Sequence, residues 1–324
     1  MSPPVTAPAG RKKTLSHPKK ANNMPRQPRT FKAFIVLCAI ALSSPFTTPA
    51  TQNAQAQQNR AVQNQMQNDP DTGSKKGWWS GLPREKKMLY TTTASAAAIA
   101  VWGLATWDYG SSSGFHTAHE GAFEENAKYG GADKMGHYFA TYAISDMLTG
   151  LYKSYGYDTR KANNYGVLSA WAVQAFMEIG DATSESQGFS WEDTMMNTLG
   201  ALTSILMARY PALDDKIDLR VEYIANVRIG GIFDDYSNQF YSIVLKLDGF
   251  DFIKNNFLKY LELSAGYYTR GYDTDEVKKR RSVFAGVSFN LSRFFYQKHY
   301  NKTGKVLEYL QLPYTVLKGS RDLD

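Results

Sequence analysis

With one cysteine in 324 residues, Cys38 near the N-terminus, the chain can form no internal disulfide and no C-x-x-C metal or redox pair. Leu37 stands where a lipid-acceptor cysteine needs a small neighbour, and apolar sequence continues beyond it, so lipid attachment at Cys38 is not expected. Acidic residues are missing from the first 60 positions, which hold nine of the 37 Lys and Arg. The remaining 28 basic side chains face 30 acidic ones. The formal charge of +7 therefore belongs to the N-terminus, and the body gives no argument for nucleic-acid binding. A Gly-rich phosphate loop and a nucleophile elbow are also absent, and no local motif supports Ser190 as a nucleophile.

The basic N-terminus reads as a leader. Ala33 to Leu42 is a short apolar run preceded by Arg29 and Lys32 and followed by small residues and an Ala54-Gln-Ala56 site, the pattern of a cleavable secretory signal over 1–56. An uncleaved anchor is the alternative, although the run falls short of the ~20 apolar residues a spanning helix needs. Met24 as the start would give a leader of ordinary length. Residues 57–84 read as a flexible linker, rich in Gln and Asn, that ends in a Trp78-Trp79 pair flanked by lysines. Indole rings among basic residues suit a membrane interface.

From Met88 to Trp107 no residue is charged, a length that fits a membrane span, although its Thr, Ser and Ala also suit a buried helix. Apolar helical patterns follow at 133–155, 160–179 and 190–210, stopped by Gly156, Gly180 and Pro211. The pattern then changes to a period of two. It runs through Ile217, Leu219, Val221, Tyr223, Ala225, Val227 and Ile229, and again through Tyr241 to Leu247, Leu261 to Tyr267 and Val283 to Leu291. The expected fold is α+β. A bundle of about four helices (85–212), partly membrane-associated, precedes a four-stranded antiparallel meander with one buried face and an apolar tail (213–324).

Charged and amide residues interrupt the three later helices, where they are costly unless they find partners. Asp133 and His137 are four apart and share a helix face, with Lys134 one step around. Glu178 and Asp181 end the next helix, and Asp193, Asn197, Gly200 and Ser204 form one stripe on the last. If these groups converge, His137, Glu178 and Asp193 make a general acid–base set. His137, Glu178, Asp181 and Asp193 would alternatively bind Zn²⁺, Mn²⁺ or Mg²⁺, although their spacing matches no dedicated metal motif and no cofactor is otherwise expected. The competing reading is structural. Ser190 with Asp193 resembles an N-cap, Asp133 favours a helix start, and Lys134, His137, Asp193 and Asn197 would form a network that fixes helix order. Both readings stand at this point. His116, His119 and Glu120 are a second candidate metal set.

Ala-Asp-Lys-Met-Gly-His-Tyr (132–138), Met-Glu-Ile-Gly-Asp (177–181) and Gly-Phe-Ser-Trp-Glu-Asp-Thr-Met-Met-Asn-Thr-Leu-Gly-Ala (188–201) resemble the YfiM-like family of predicted periplasmic proteins. They are more distantly similar to VanZ-like membrane proteins. Asp-Tyr-Ser-Asn-Gln-Phe-Tyr (235–241) and Leu-Pro-Tyr (312–314) extend the resemblance to about residue 320. The resemblance implies a bacterial envelope location and a polar site of Asp133, Lys134, His137, Glu178, Asp181, Ser190, Asp193 and Asn197. It implies no reaction. Three functions are carried forward: a membrane-associated envelope protein without assigned chemistry, a hydrolase or transferase on an envelope lipid or glycan, and an outer-membrane assembly or scaffold factor. The expected partner is a membrane lipid surface.

Overall fold

A computed structural model of the chain describes residues 77–224, 235–272 and 278–324. The leader, the linker up to residue 76, and Ala225, Val227 and Ile229 of the first expected strand lie outside the described residues. Four long helices come first: α1 (Arg84–Thr106), α2 (Ala132–Ser154), α3 (Thr159–Asp181) and α4 (Trp191–Arg209). Short strands β1 (Thr117–Ala118) and β2 (Phe189–Ser190) pair in parallel beside them. Local chemistry sets the ends. The Asp158 side chain accepts from the Lys161 amide to cap α3, Ser190 accepts from the Asp193 amide to cap α4, and Pro211 follows the end of α4.

Helix α2 is central and packs on both α3 and α4. Gly200 permits the second contact, because a Cβ there would collide with the Tyr138 carbonyl oxygen. Gly103 and Gly180 similarly leave room for the Tyr109 ring between α1 and α3. Helix α1, by length and composition, is the one helix among the described residues long and apolar enough to cross a membrane, and little of it is buried.

The sheet follows, built from β3 (Ile217–Tyr223), β4 (Gln239–Lys246), β5 (Leu261–Arg270), β6 (Arg280–Phe289), β7 (Leu310–Gln311) and β8 (Val316–Asp322) in the order β7-β3-β4-β5-β6-β8. The α+β class holds, and two details are corrected. The sheet has six strands and is mixed, since β7 runs parallel to β3 on one edge and β8 antiparallel to β6 on the other. The described residues also hold seven helices rather than about four, adding α5 (Pro211–Asp214), α6 (Leu291–Gln297) and α7 (Asn301–Val306). The expected apolar tail became α7, β7, a turn and β8. Two-residue β7 carries no periodicity to read, and β8 holds Lys318, Ser320 and Arg321 among its apolar positions.

The buried sense of the sheet is the larger surprise. On β5 and β6 the polar residues Glu262, Ser264, Ser282 and Ser288 are buried, while Leu263, Val283, Val287 and Phe289 face outward. The sheet is rolled. Lys318 on β8 reaches across to Glu222 on β3 at 2.5 Å, although three strands lie between them in the sheet order. Residues 312–315 join the two edge strands. The concave side is filled by Arg220, 2% exposed, which donates two parallel hydrogen bonds to Glu262 (2.8 and 2.7 Å) and others to Asp218 and Gln311. Lys246 pairs with the far side of Asp218 at 2.5 Å. The outer face is covered mainly on β3 and β4, where Val221 and Tyr241 pack on Ala132, and Leu219 on Tyr142 and Met207, and at Tyr267 of β5, which meets Phe123 and the Gly130 carbonyl.

Removing one partner of a buried ion cluster strands the others. Arg220→Ala is expected to destabilise the chain by about 3–5 kcal/mol in chemical denaturation, whereas Arg280→Ala at the exposed Asp322 pair should change stability by less than about 1 kcal/mol.

Candidate functional site

The N-terminal ends of α2 and α4 and the C-terminal end of α3 bring the interrupting residues together. Lys134, with no exposed surface, lies at the centre. Its ammonium stands 2.5 Å from Glu120, 3.0 Å from Asp133 and 3.0 Å from Asp193. The other Glu120 oxygen accepts from Lys128, which also donates to Gln187 at 2.7 Å. Asp193 is thereby fixed at the first turn of α4, where the helix dipole also favours an anion.

His137 lies on the far side of Asp193, one turn along α2 from Asp133. Its ring is bracketed by two carboxylates, with Nδ1 3.4 Å from Glu178 Oε1 and Nε2 3.7 Å from Asp193 Oδ1. Neither approach has hydrogen-bond geometry, and His137 Nδ1 and Glu178 Oε1 are buried without a hydrogen-bond partner, while Asp193 Oδ1 is ion-paired with the Lys134 ammonium at 3.0 Å. The other oxygen of Glu178 accepts from the Ser190 amide at 3.3 Å. Asn197, one turn beyond Asp193, accepts from Thr141 (2.8 Å) and Gln174 (3.3 Å) and ties α4 to α2 and α3.

Burial dominates the electrostatics. It pushes Glu178 up to about 9, assisted by the charges of Asp193 and Asp181, and pushes Asp133 and Asp181 up to about 7. The same burial lowers His137 and keeps the imidazole neutral. Asp193 goes the other way. Burial works to raise it, but His137 and Lys134 together bring it down to about 2, and with the imidazole neutral the Lys134 ammonium is the partner that matters. For Lys134 the three carboxylates outweigh burial and hold the ammonium protonated. A protonated Glu178, a neutral His137 and an ionised Asp193 thus stand in a row, two carboxyl groups pushed to opposite sides of neutrality with an imidazole between them. That arrangement can give and take protons.

Of the residues singled out in the sequence, the structure unites Asp133, Lys134, His137, Glu178, Ser190, Asp193 and Asn197. Asp181 stands apart from His137 and Asp193, interacting instead with the Tyr109 hydroxyl, and it belongs to neither carboxylate-rich group that could share a metal ion among the described residues. Ser190 does act as the α4 N-cap. The His116, His119 and Glu120 set is pulled apart: the segment includes strand β1, Glu120 turns inward to the lysines, and His119, with a side chain 90% exposed, pairs with Glu192 at 2.6 Å. Sequence reasoning missed Lys128, Gln187, Thr141, Gln174 and Tyr109. Thr141, four residues beyond His137, and Gln174, four before Glu178, had helical spacing that could have revealed them.

Residues 119–209 match the family described as predicted periplasmic lipoprotein (DUF2279), a stretch that covers α2, α3, α4 and every residue of the Lys134 cluster. The match stops short of the sheet and does not reach Cys38. It identifies an envelope protein, exported and either periplasmic or membrane-associated. No curated protein and no solved structure matches the chain.

The raised carboxyl groups fix a sign for pH dependence. The folded state holds protons on Glu178, Asp133 and Asp181 that the unfolded chain releases above ordinary values of 4.5 and 3.8. Their contribution is complete at low pH and is lost as pH rises through about 7 and then about 9. Asp193 contributes in the opposite sense, losing stability only as pH falls below 3.8 towards about 2. With chelator present, the thermal midpoint should decline from about pH 5 to about pH 9, and Glu178→Gln should flatten the upper part of that decline. An unchanged slope in Glu178→Gln would contradict the assignment.

Proposed function

We propose that this envelope protein is held at a membrane, with α1 as its span and the outer faces of α3, α4 and the sheet against lipid. The observation that carries the reading is inverted polarity. Beside its apolar clusters the interior holds many charge and amide groups, from Lys134 and Glu178 to Arg220 and Glu262, while many large apolar side chains point outward. On α4, Trp191, Met195, Leu199, Leu202 and Leu206 make one exposed stripe; on α3, Leu168, Phe176 and Ile179 do the same. Apolar area of this extent on a protein surface marks a contact with another apolar phase. Helices α3 and α4 have uncharged stretches at 162–177 and 194–208, shorter than the ~20 residues of a span, so they lie against the bilayer and only α1 crosses it. The YfiM-like and VanZ-like sequence patterns fit the same location.

A second reading, hydrolysis or group transfer on an envelope lipid or glycan, is favoured by one specific feature. His137 sits between a protonated and an ionised carboxyl group. In that reading His137 is the acid–base group, Glu178 and Asp193 set its proton, and Lys134 holds Asp193 ionised. The scaffold reading has less support: β8 ends the sheet order, and strand addition at that edge is the interaction it offers.

Fractionation separates the location from its alternative. The full chain is expected to sediment with membranes, to stay there through an alkaline carbonate wash, and to be released by detergent. Release by carbonate alone would overturn the membrane reading.

A further inference from the structure

We propose that His137, Glu178 and Asp193 form a binding site for one first-row divalent metal ion. Each offers a ligand atom, and the three atoms lie within 4.8 Å of one another. The 3.4 Å separation of His137 Nδ1 from Glu178 Oε1 equals the ligand–ligand edge, about 3.4 Å, of a tetrahedron with bonds of about 2.1 Å.

The second observation is independent of spacing. Glu178 is 1% exposed, yet its Oε1 has no hydrogen-bond partner and points at an imidazole nitrogen that also has none. Asp193 Oδ1, the third ligand atom, is buried as well, with the Lys134 ammonium 3.0 Å away on its other side. A buried carboxyl oxygen and an imidazole nitrogen that face each other without a hydrogen bond are unfavourable as a purely structural network, and a cation bound between them and Asp193 satisfies both.

Formal charge points the same way. Five carboxyl groups (Glu120, Asp133, Glu178, Asp181 and Asp193) share this end of the bundle with the ammonium groups of Lys128 and Lys134. Counted with all five ionised, the surplus is three negative charges, of which one divalent ion would offset two. The neighbouring group of Glu120, Asp133 and Asp193 already has its cation, the Lys134 ammonium. Supports that hold metal ligands in place are present too: the Ser190 amide on Glu178, and Lys134 with the α4 N-cap on Asp193.

One imidazole with two carboxylates suits Zn²⁺ or Mn²⁺ better than Mg²⁺, and zinc should bind more tightly than manganese. When bound, such an ion supplies Lewis-acid activation of water or a carbonyl, the chemistry a hydrolase would need. The metal site deepens the hydrolase reading and is independent of the membrane reading.

The test uses the full chain in mild detergent, stripped with chelator and dialysed against Zn²⁺ or Mn²⁺ alone. Bound metal is measured by elemental analysis, and folding is followed by the thermal transition. Wild type and His119→Ala, whose imidazole is exposed, should each retain about one zinc ion and melt at higher temperature with it. His137→Ala and Glu178→Gln should each weaken zinc binding by more than the ~10–100-fold that loss of an outer-shell partner costs. Folded wild type that retains no metal would overturn the proposal, whatever the variants do. So would retention unchanged in a folded His137→Ala or Glu178→Gln. Loss of activity in His137→Ala without any metal in wild type would remove the metal and leave the acid–base reading standing.

Discussion

The ammonium of Lys134 is the group around which the bundle is assembled. A fully buried positive charge is tolerable only if carboxylates surround it, and here they come from three places: Glu120 before α2, Asp133 on α2 and Asp193 on α4. Segments up to 73 residues apart must meet at one point. Once they do, the N-terminal turns of α2 and α4 are side by side, and His137 is placed between Asp193 and Glu178. Removing the lysine would leave several carboxyl groups buried against one another, so the charge, the helix arrangement and the site form one unit.

The same logic operates a second time in the sheet. Arg220 gathers Asp218, Glu262 and Gln311 on the concave side much as Lys134 gathers its carboxylates. Ordinary apolar packing is used where the two halves join, through Ala132, Val221 and Tyr241 and through Tyr142, Met207 and Leu219. Inside each half charge lies beside apolar clusters, Leu148, Tyr152, Tyr157, Ala162 and Ala170 in the helices and Phe240 with Phe284 in the sheet, and apolar residues also line the joint and the outside. Under the proposed membrane location the outward apolar residues are in their own phase, and the ion clusters add specificity to the apolar contacts inside each half.

How much of this was legible in the sequence depends on whether the signal was local. The three later helices lie within about two residues of their expected ends because Asp158, Ser190, Gly156 and Pro211 act on their immediate neighbours. The convergence of Lys134, His137, Glu178 and Asp193 was legible because charge in an apolar helix needs a partner. Glu120 was not assigned to Lys134, since it comes from a segment with no periodicity and its role depends on a contact 14 residues away. Alternation in Leu261 to Tyr267 and Val283 to Phe289 revealed strands, but a period of two does not say which face is buried. The answer rests on Arg220–Glu262 and Lys318–Glu222, pairs 42 and 96 residues apart, which local reading cannot see.

The central claim, that the outward apolar faces meet lipid, is tested most directly by spin labels at Leu202 on α4 and Val287 on β6, with Lys298 as the aqueous control, in the full chain reconstituted in vesicles. Collisional relaxation should show both apolar-face labels more accessible to oxygen than to a water-soluble nickel chelate, with the reverse at Lys298. Nickel accessibility at Leu202 and Val287 matching that at Lys298 would contradict the account.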